Sequence, residues 1–216
     1  YAEKGLLQVK LHGPGWDDLP IQAGQALNVV PDKATYAGHR LEELLPVLDQ
    51  SGVQYSQTED SVTVLGVSKH SKDAAEGVNA IVGLAESLSL IQPHPALLFI
   101  ADVVGEDATG EALFGPISDE PSGDLSFNLA TLVIDQEQSE IGIDIRIPVL
   151  ADKDALVARL QEIAASYQLE YEEFDYLAPL YVPLDSPLVS SLMAVYQEET
   201  GDKTPAMSSG GATFAR

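Results

Sequence analysis

The chain has 216 residues, 45% hydrophobic and 21% charged, a balance that suits a globular protein with one large or two small cores and excludes a disordered one. Only 11 Lys and Arg stand against 34 Asp and Glu, for a formal net charge of −23, and so acidic a surface argues against a nucleic acid or an anionic membrane as partner. Cysteine is absent, which removes disulfides and thiolate metal sites from consideration.

Taken in chain order, Leu6 to His12 alternates apolar and polar residues as a half-buried strand does, and Gly13-Pro14-Gly15 ends it. A turn at Ala23-Gly24 leads to a short strand, Ala26 to Val30. Pro31-Asp32 then opens a helix carrying Leu41, Leu44, Leu45 and Leu48 at helical spacing, bent at Pro46 and stopped by Ser51-Gly52. Val53 to Thr58 and Ser61 to Val67 read as a hairpin around Glu59-Asp60. A helix from about Ala74 to Leu90 places Val78, Ile81, Val82, Ala85 and Leu88 on one face. Residues 95–104 read as another helix; interrupted by Asp102, this stretch is far shorter than the ~20 apolar residues that span a bilayer.

Gly105 to Gly123 is rich in Gly, Pro, Asp and Glu and reads as a long irregular connection. Ser126 to Asp135 and Glu140 to Val149 follow as two strands around Gln136-Glu137-Gln138. Asp152 caps a helix from Lys153 to Gln168, and Leu169 to Val182 is a strand broken at Ala178-Pro179. A last helix runs from Pro187 to Thr200, ahead of Gly201. The expected class is α+β, antiparallel sheets with helices packed on one face. No signal peptide is visible, and a cytoplasmic location is expected. The chain opens on Tyr-Ala-Glu-Lys-Gly and stops at Ala-Thr-Phe-Ala-Arg, so both ends are expected to be cuts through a longer protein.

Few groups offer chemistry. The four histidines, His12, His39, His70 and His94, show no HExxH or HxH spacing, so the chain by itself is expected to hold no metal. Asp17-Asp18 and Glu42-Glu43 read as solvated surface. There is no GxSxG elbow. Ser208-Ser209-Gly210-Gly211 lacks the Lys of a P-loop; its N–H groups suit an anion, and a structural loop is the other reading. His70, between a strand and a helix, is placed either to meet a ligand or to serve as a structural His. Alternation puts Asp144, Arg146 and Pro148 on one strand face, where the guanidinium fork suits a carboxylate and a cross-strand salt bridge is the alternative.

Four segments in order carry a resemblance. They are Ala23-Gly24-Gln25-Ala26-Leu27-Asn28-Val29-Val30-Pro31-Asp32-Lys33-Ala34; Gly66-x-x-x-His70-Ser71 leading to Gly77-x-Asn79-Ala80-Ile81; Ile143-Asp144-Ile145-Arg146-Ile147-Pro148-Val149; and Ser209-Gly210-Gly211-Ala212-Thr213-Phe214-Ala215-Arg216. Together they resemble the M20 metallopeptidases and, among them, the PepV-like dipeptidases of Xaa-His or β-Ala-dipeptidase type, with Phe214 where Tyr is usual. Ordinary M20 enzymes carry the Val-Pro-Asp segment after the His segment; here it comes before.

The resemblance implies two ferredoxin-like lobes forming an enlarged lid over residues 1–183, with an inserted lobe at about 20–65. Residues 184–216 would begin the returning catalytic-domain segment. It implies a parent that hydrolyses the peptide bond of dipeptides with two zinc ions, whose ligands lie outside this chain, and that acts as a monomer. His70 would stabilise the oxyanion as the catalytic residue of the lid, Asn28 and Arg146 would hold the substrate carboxylate, and Gly210, Gly211, Ala212 and Thr213 would line the cleft. The partners would be the dipeptide and the missing catalytic domain, and the isolated chain would be inactive. Two other readings stay open: a non-enzymatic ferredoxin-like binding or regulatory module, and the lid of an M20 deacylase.

Overall fold

The alternating segments assemble into an eight-stranded antiparallel sheet in the computed structural model, which describes residues 1–211. The first half supplies β1 (Ala2–Glu3), β2 (Gly5–Pro14), β3 (Ile21–Ala23), β4 (Lys33–Tyr36), helix α1 (Leu41–Ser51), β5 (Tyr55–Gln57) and β6 (Val62–Leu65). A 3-10 turn at Ser71–Glu76, helices α2 (Ala80–Ser89) and α3 (Pro95–Phe99), a π-helical turn at Ile100–Val104 and α4 (Glu111–Phe114) follow. The second half supplies β7 (Ser118–Asp119), β8 (Gly123–Asp124), β9 (Ser126–Ile134), β10 (Gln138–Ile147), α5 (Lys153–Ser166), β11 (Glu170–Leu177), β12 (Leu180–Tyr181) and α6 (Pro187–Thr200).

The strand order is β11-β2-β10-β9-β3-β4-β6-β5. The β2, β9, β10 and β11 half is ferredoxin-like: helices follow its first and third strands, and the first strand lies between the third and the fourth. The other half repeats the arrangement with β4, α1, β5, β6 and α2, but the strand beside β4 is β3, supplied from ahead of it rather than from behind. The two halves are not separate sheets. β3 pairs with β9 through Ile21 to Ile134, Gln22 to Val133 and Ala23 to Leu132. Helix α2 packs across this seam on β4, β6 and β9.

The pleat gives the sheet two unlike faces. Leu7, Val9 and Leu11 stand opposite Ile145, Ile143 and Ile141 and are buried, with α3 packed on β2 and β10. Tyr36, Leu44, Leu48, Ile81, Leu84, Leu88, Leu97 and Phe99 complete this core. Fully burying such side chains stabilises the fold by about 1.5–3 kcal/mol each. On the other face Gln8 is opposite Asp144, Asp144 opposite Asn128, and Arg146 opposite Ser126. That polar face is where the candidate site lies.

Three expected elements take different form. Ala26 to Val30 is a turn rather than a strand, because Asn128 Nδ2 donates to the Leu27 and Val29 carbonyl oxygens at 3.0 Å each, where a neighbouring strand would otherwise bind. Pro31-Asp32 leads into β4, whose residues alternate exposed and buried, and the helix begins only at Leu41. The Ala74 to Leu90 helix is interrupted: Val78 exchanges both backbone hydrogen bonds with Val67, and Asn79 caps a fresh start at α2. Gly105 to Gly123 is irregular, apart from α4 and the β7–β8 pair. Among the described residues, no helix is long and apolar enough to cross a membrane.

Candidate functional site

Close backbone packing sets up the site. A side chain at Gly24, where φ is +78°, would fall on the Ala130 carbonyl oxygen, and one at Gly66 on that of Val78. Glycine lets both segments lie against their neighbours. The two then meet: the Val30 amide donates to the Lys69 carbonyl at 2.8 Å, the Ser71 amide donates to the Asn28 carbonyl at 2.9 Å, and Val29 bridges His70.

His70 is exposed and caps the 3-10 turn, its Nδ1 accepting the Lys72 amide hydrogen at 3.2 Å. Committing the Nδ1 lone pair puts the proton of the neutral ring on Nε2. The ring therefore presents an N–H donor on its outer edge. Asn28 is also exposed, with its carbonyl fixed by Ser71.

Arg146 comes up from the sheet below, 5% exposed. Its Nε donates to Asp144 Oδ1 at 2.6 Å, and its Nη2 donates to Asp144 Oδ2 at 3.1 Å and to Ser71 Oγ at 3.0 Å. Gln8 Nε2 donates to Asp144 Oδ2 at 2.8 Å. The Ser126 hydroxyl donates to the Ser71 carbonyl. Arg146 is thus in a salt bridge, but a buried one along its own strand rather than a cross-strand pair on an exposed face.

Asn28, His70 and Arg146 accordingly converge on Ser71, which bonds to the first and third and is the chain neighbour of the second. Ser71, Asp144, Gln8, Ser126 and Asn128 were not singled out as site residues from the sequence. Two signals pointed toward them: Ser71 follows His70, and Asp144 shares a strand face with Arg146. Gln8, Ser126 and Asn128 come from other strands and gave none.

Ser209 is tied to the first strand, its amide donating to the Ala2 carbonyl at 2.8 Å, and Gly210 lies against the Lys72 side chain. This brings the glycine loop beside the 3-10 turn that His70 caps. Ala212 and Thr213 lie outside the described residues. Asp17, Asp18, Glu42 and Glu43 are exposed. A cleft of about 420 Å³ opens next to the site, lined in part by Val30, Val78, Asn79, Asn128 and Gly105. His70, Asn28 and Arg146 do not line it. Among the described residues no three His, Asp or Glu side chains gather as metal ligands, so these residues do not fit a zinc site.

No family model matches the chain. Over its whole length it is 31% identical to "Putative dipeptidase YtjP" of Bacillus subtilis (strain 168), of which it covers 51%. It is 28% identical, again over its whole length, to "Putative dipeptidase MW1694" of Staphylococcus aureus (strain MW2), covering 51% of that protein. With "Putative dipeptidase SH1171" of Staphylococcus haemolyticus (strain JCSC1435) it shares 26% identity over 94% of its length and 47% of the relative's. The chain therefore spans about half the length of the curated relatives it matches. Among solved structures, the aminoacylhistidine dipeptidase from Vibrio alginolyticus shares the fold with a TM-score of 0.51 at 10% identity, over 98% of this chain and 52% of that one.

Proposed function

We infer that this chain, a part of a dipeptidase of the M20 family, forms that enzyme's lid and substrate grip. The observation that carries the reading is the convergence of Asn28, His70 and Arg146 on Ser71, on the sheet face left free of the core helices. Arg146 and Asn28 hold the terminal carboxylate of the substrate. A longer peptide would carry its carboxylate out of their reach, so the grip selects dipeptides. His70 offers its Nε2–H to the oxygen of the scissile carbonyl as negative charge develops there. Removing one such donor costs ~10²–10³ in rate.

The zinc ions that the family resemblance implies would be held by parts of the enzyme outside this chain, where they would activate water. Residues 1–183 act as the lid, with 20–65 as its inserted lobe, and 184–216 return toward the remaining half. The exposed apolar side chains of α6 support this: Leu188, Leu192 and Val195 are each more than half exposed. Gly210 and Gly211 would face the substrate from the side of the missing half, and the isolated chain hydrolyses nothing. The enlarged lid lets the enzyme work as a monomer in the cytoplasm.

The test is His70→Ala in the polypeptide extended to the length of its relatives. Turnover falls ~10²–10³ with a nearly unchanged Michaelis constant; turnover like that of the unaltered enzyme overturns the role. One observation favours a second reading, in which Arg146 is structural: its guanidinium already has a buried carboxylate partner in Asp144. Substrates lacking the terminal carboxylate separate the two.

A further inference from the structure

We propose that Asp144 and Ser71 are positioning residues that lock the Arg146 fork in one orientation and join the carboxylate grip to the His70 backbone as a single unit. The proposal rests on the reading of Arg146 as the grip and adds what holds it.

A guanidinium has five N–H donors: one on Nε and two on each Nη. Asp144 takes the Nε donor and one Nη2 donor, and Ser71 takes the other Nη2 donor. Among the described residues the two donors that remain are both on Nη1, so an incoming carboxylate meets one fixed end of the fork. Asp144 is fully buried and accepts a further bond from Gln8, so a ligand cannot displace it. Its charge also balances that of Arg146, and the buried cation is thereby compensated before any substrate arrives. Orientation, rather than surplus positive charge, is then what the pair contributes to binding.

Ser71 is the joint. Its side-chain oxygen accepts from Arg146 Nη2, its amide donates to the Asn28 carbonyl, and its carbonyl accepts from the Ser126 hydroxyl. Ser71 is fully buried and directly follows His70. A displaced Arg146 would lose its Ser71 bond and loosen the segment that aims the imidazole. Grip and oxyanion donor, contributed by segments 75 residues apart, are therefore set together.

The experiment compares kcat/KM for a dipeptide and for its C-terminal carboxamide, in the polypeptide extended to the length of its relatives. Asp144→Asn should cut the preference for the free carboxylate at least tenfold, chiefly through KM. Ser71→Ala, which removes one oxygen and leaves the ion pair intact, should cut it about threefold and lower kcat as well. Thermal melts verify that each variant is folded, and Ser71→Ala carries the test if Asp144→Asn is not. The double variant Arg146→Met/Asp144→Leu replaces the pair with apolar side chains and reports on the grip itself. If it loses the preference while Asp144→Asn and Ser71→Ala both keep it, the positioning proposal alone is overturned. If the double variant keeps the preference, Arg146 is not the grip and both readings fall.

Discussion

Asn79 donates a side-chain hydrogen bond to the Leu129 carbonyl at 2.6 Å, so the residue that begins α2 is also fastened to the strand beneath it. The same side chain accepts the Ile81 and Val82 amide hydrogens at 3.0 and 3.4 Å. Asn79→Ala removes a cap worth about 1 kcal/mol and leaves the Leu129 carbonyl without that donor, a further ~1–2 kcal/mol. Urea unfolding should show the sum, and Asn79→Asp, which keeps the cap but cannot donate to Leu129, should fall between the two. Equal stability of Asn79→Asp and the unaltered chain would contradict the role of the Leu129 bond.

The Arg146–Asp144 pair gives a second stability prediction. Arg146→Met alone strands a buried carboxylate and should cost about 3–5 kcal/mol. Replacing both partners with apolar residues should recover most of that loss. A double variant no more stable than Arg146→Met would show that the surrounding hydrogen bonds of Gln8 and Ser71, rather than the uncompensated charge, dominate.

His94 predicts a pH dependence. It is fully buried, its Nδ1 accepting the Ala96 amide hydrogen at 3.1 Å while Nε2 faces the Pro14 carbonyl at 3.0 Å. Burial pushes its pKa below the ordinary value of 6.5. The unfolded chain then takes up a proton more readily than the folded one, so stability is full above pH 6.5 and declines as pH falls below it toward the depressed value. Melts between pH 7.5 and 5 should show this decline. His94→Asn, which keeps a capping oxygen, should start less stable but decline less steeply; an unchanged slope would assign the acid sensitivity to other groups.

The charge of −23 predicts a salt response. Like charges repel in the compact state, and the Debye length shrinks from about 30 Å at 0.01 M to about 8 Å at 0.15 M. Raising salt across that range should stabilise the isolated chain by about 1 kcal/mol, read as a melting point about 2–4 °C higher. A melting point that falls on adding salt would mean that ion pairs such as Lys153–Glu173 outweigh the repulsion.

The sequence was most legible where one local rule decided the outcome. Pro187 and Gly201 bracket α6 as expected, and Asp152 caps α5. It was least legible where a distant side chain satisfied the backbone. Nothing local in Ala26 to Val30 announces that Asn128 will take up two of its carbonyls, and the segment therefore looks like a strand. Gly77-Val78-Asn79 likewise looks like helix until Val67, eleven residues earlier, is there to pair with Val78. The site divides the same way. His70 and Arg146 drew notice through their own neighbours and Asn28 through a motif, whereas Gln8, Ser126 and Asn128 reach it through pairing and contacts between distant segments.

The short strand β3 has a mechanical meaning. Its three residue pairs with β9 splice the two halves, and α2 lies over the splice like a batten. A board built this way has no crease along its middle: residues 21–65 cannot swing from β9 without giving up those pairs and lifting α2. The two-residue β1–β12 pair, which leads toward α6, lies outside that board. Asn28 and Arg146, on opposite sides of the splice, both bond to Ser71, so one joint fixes the spacing between the two halves at this point.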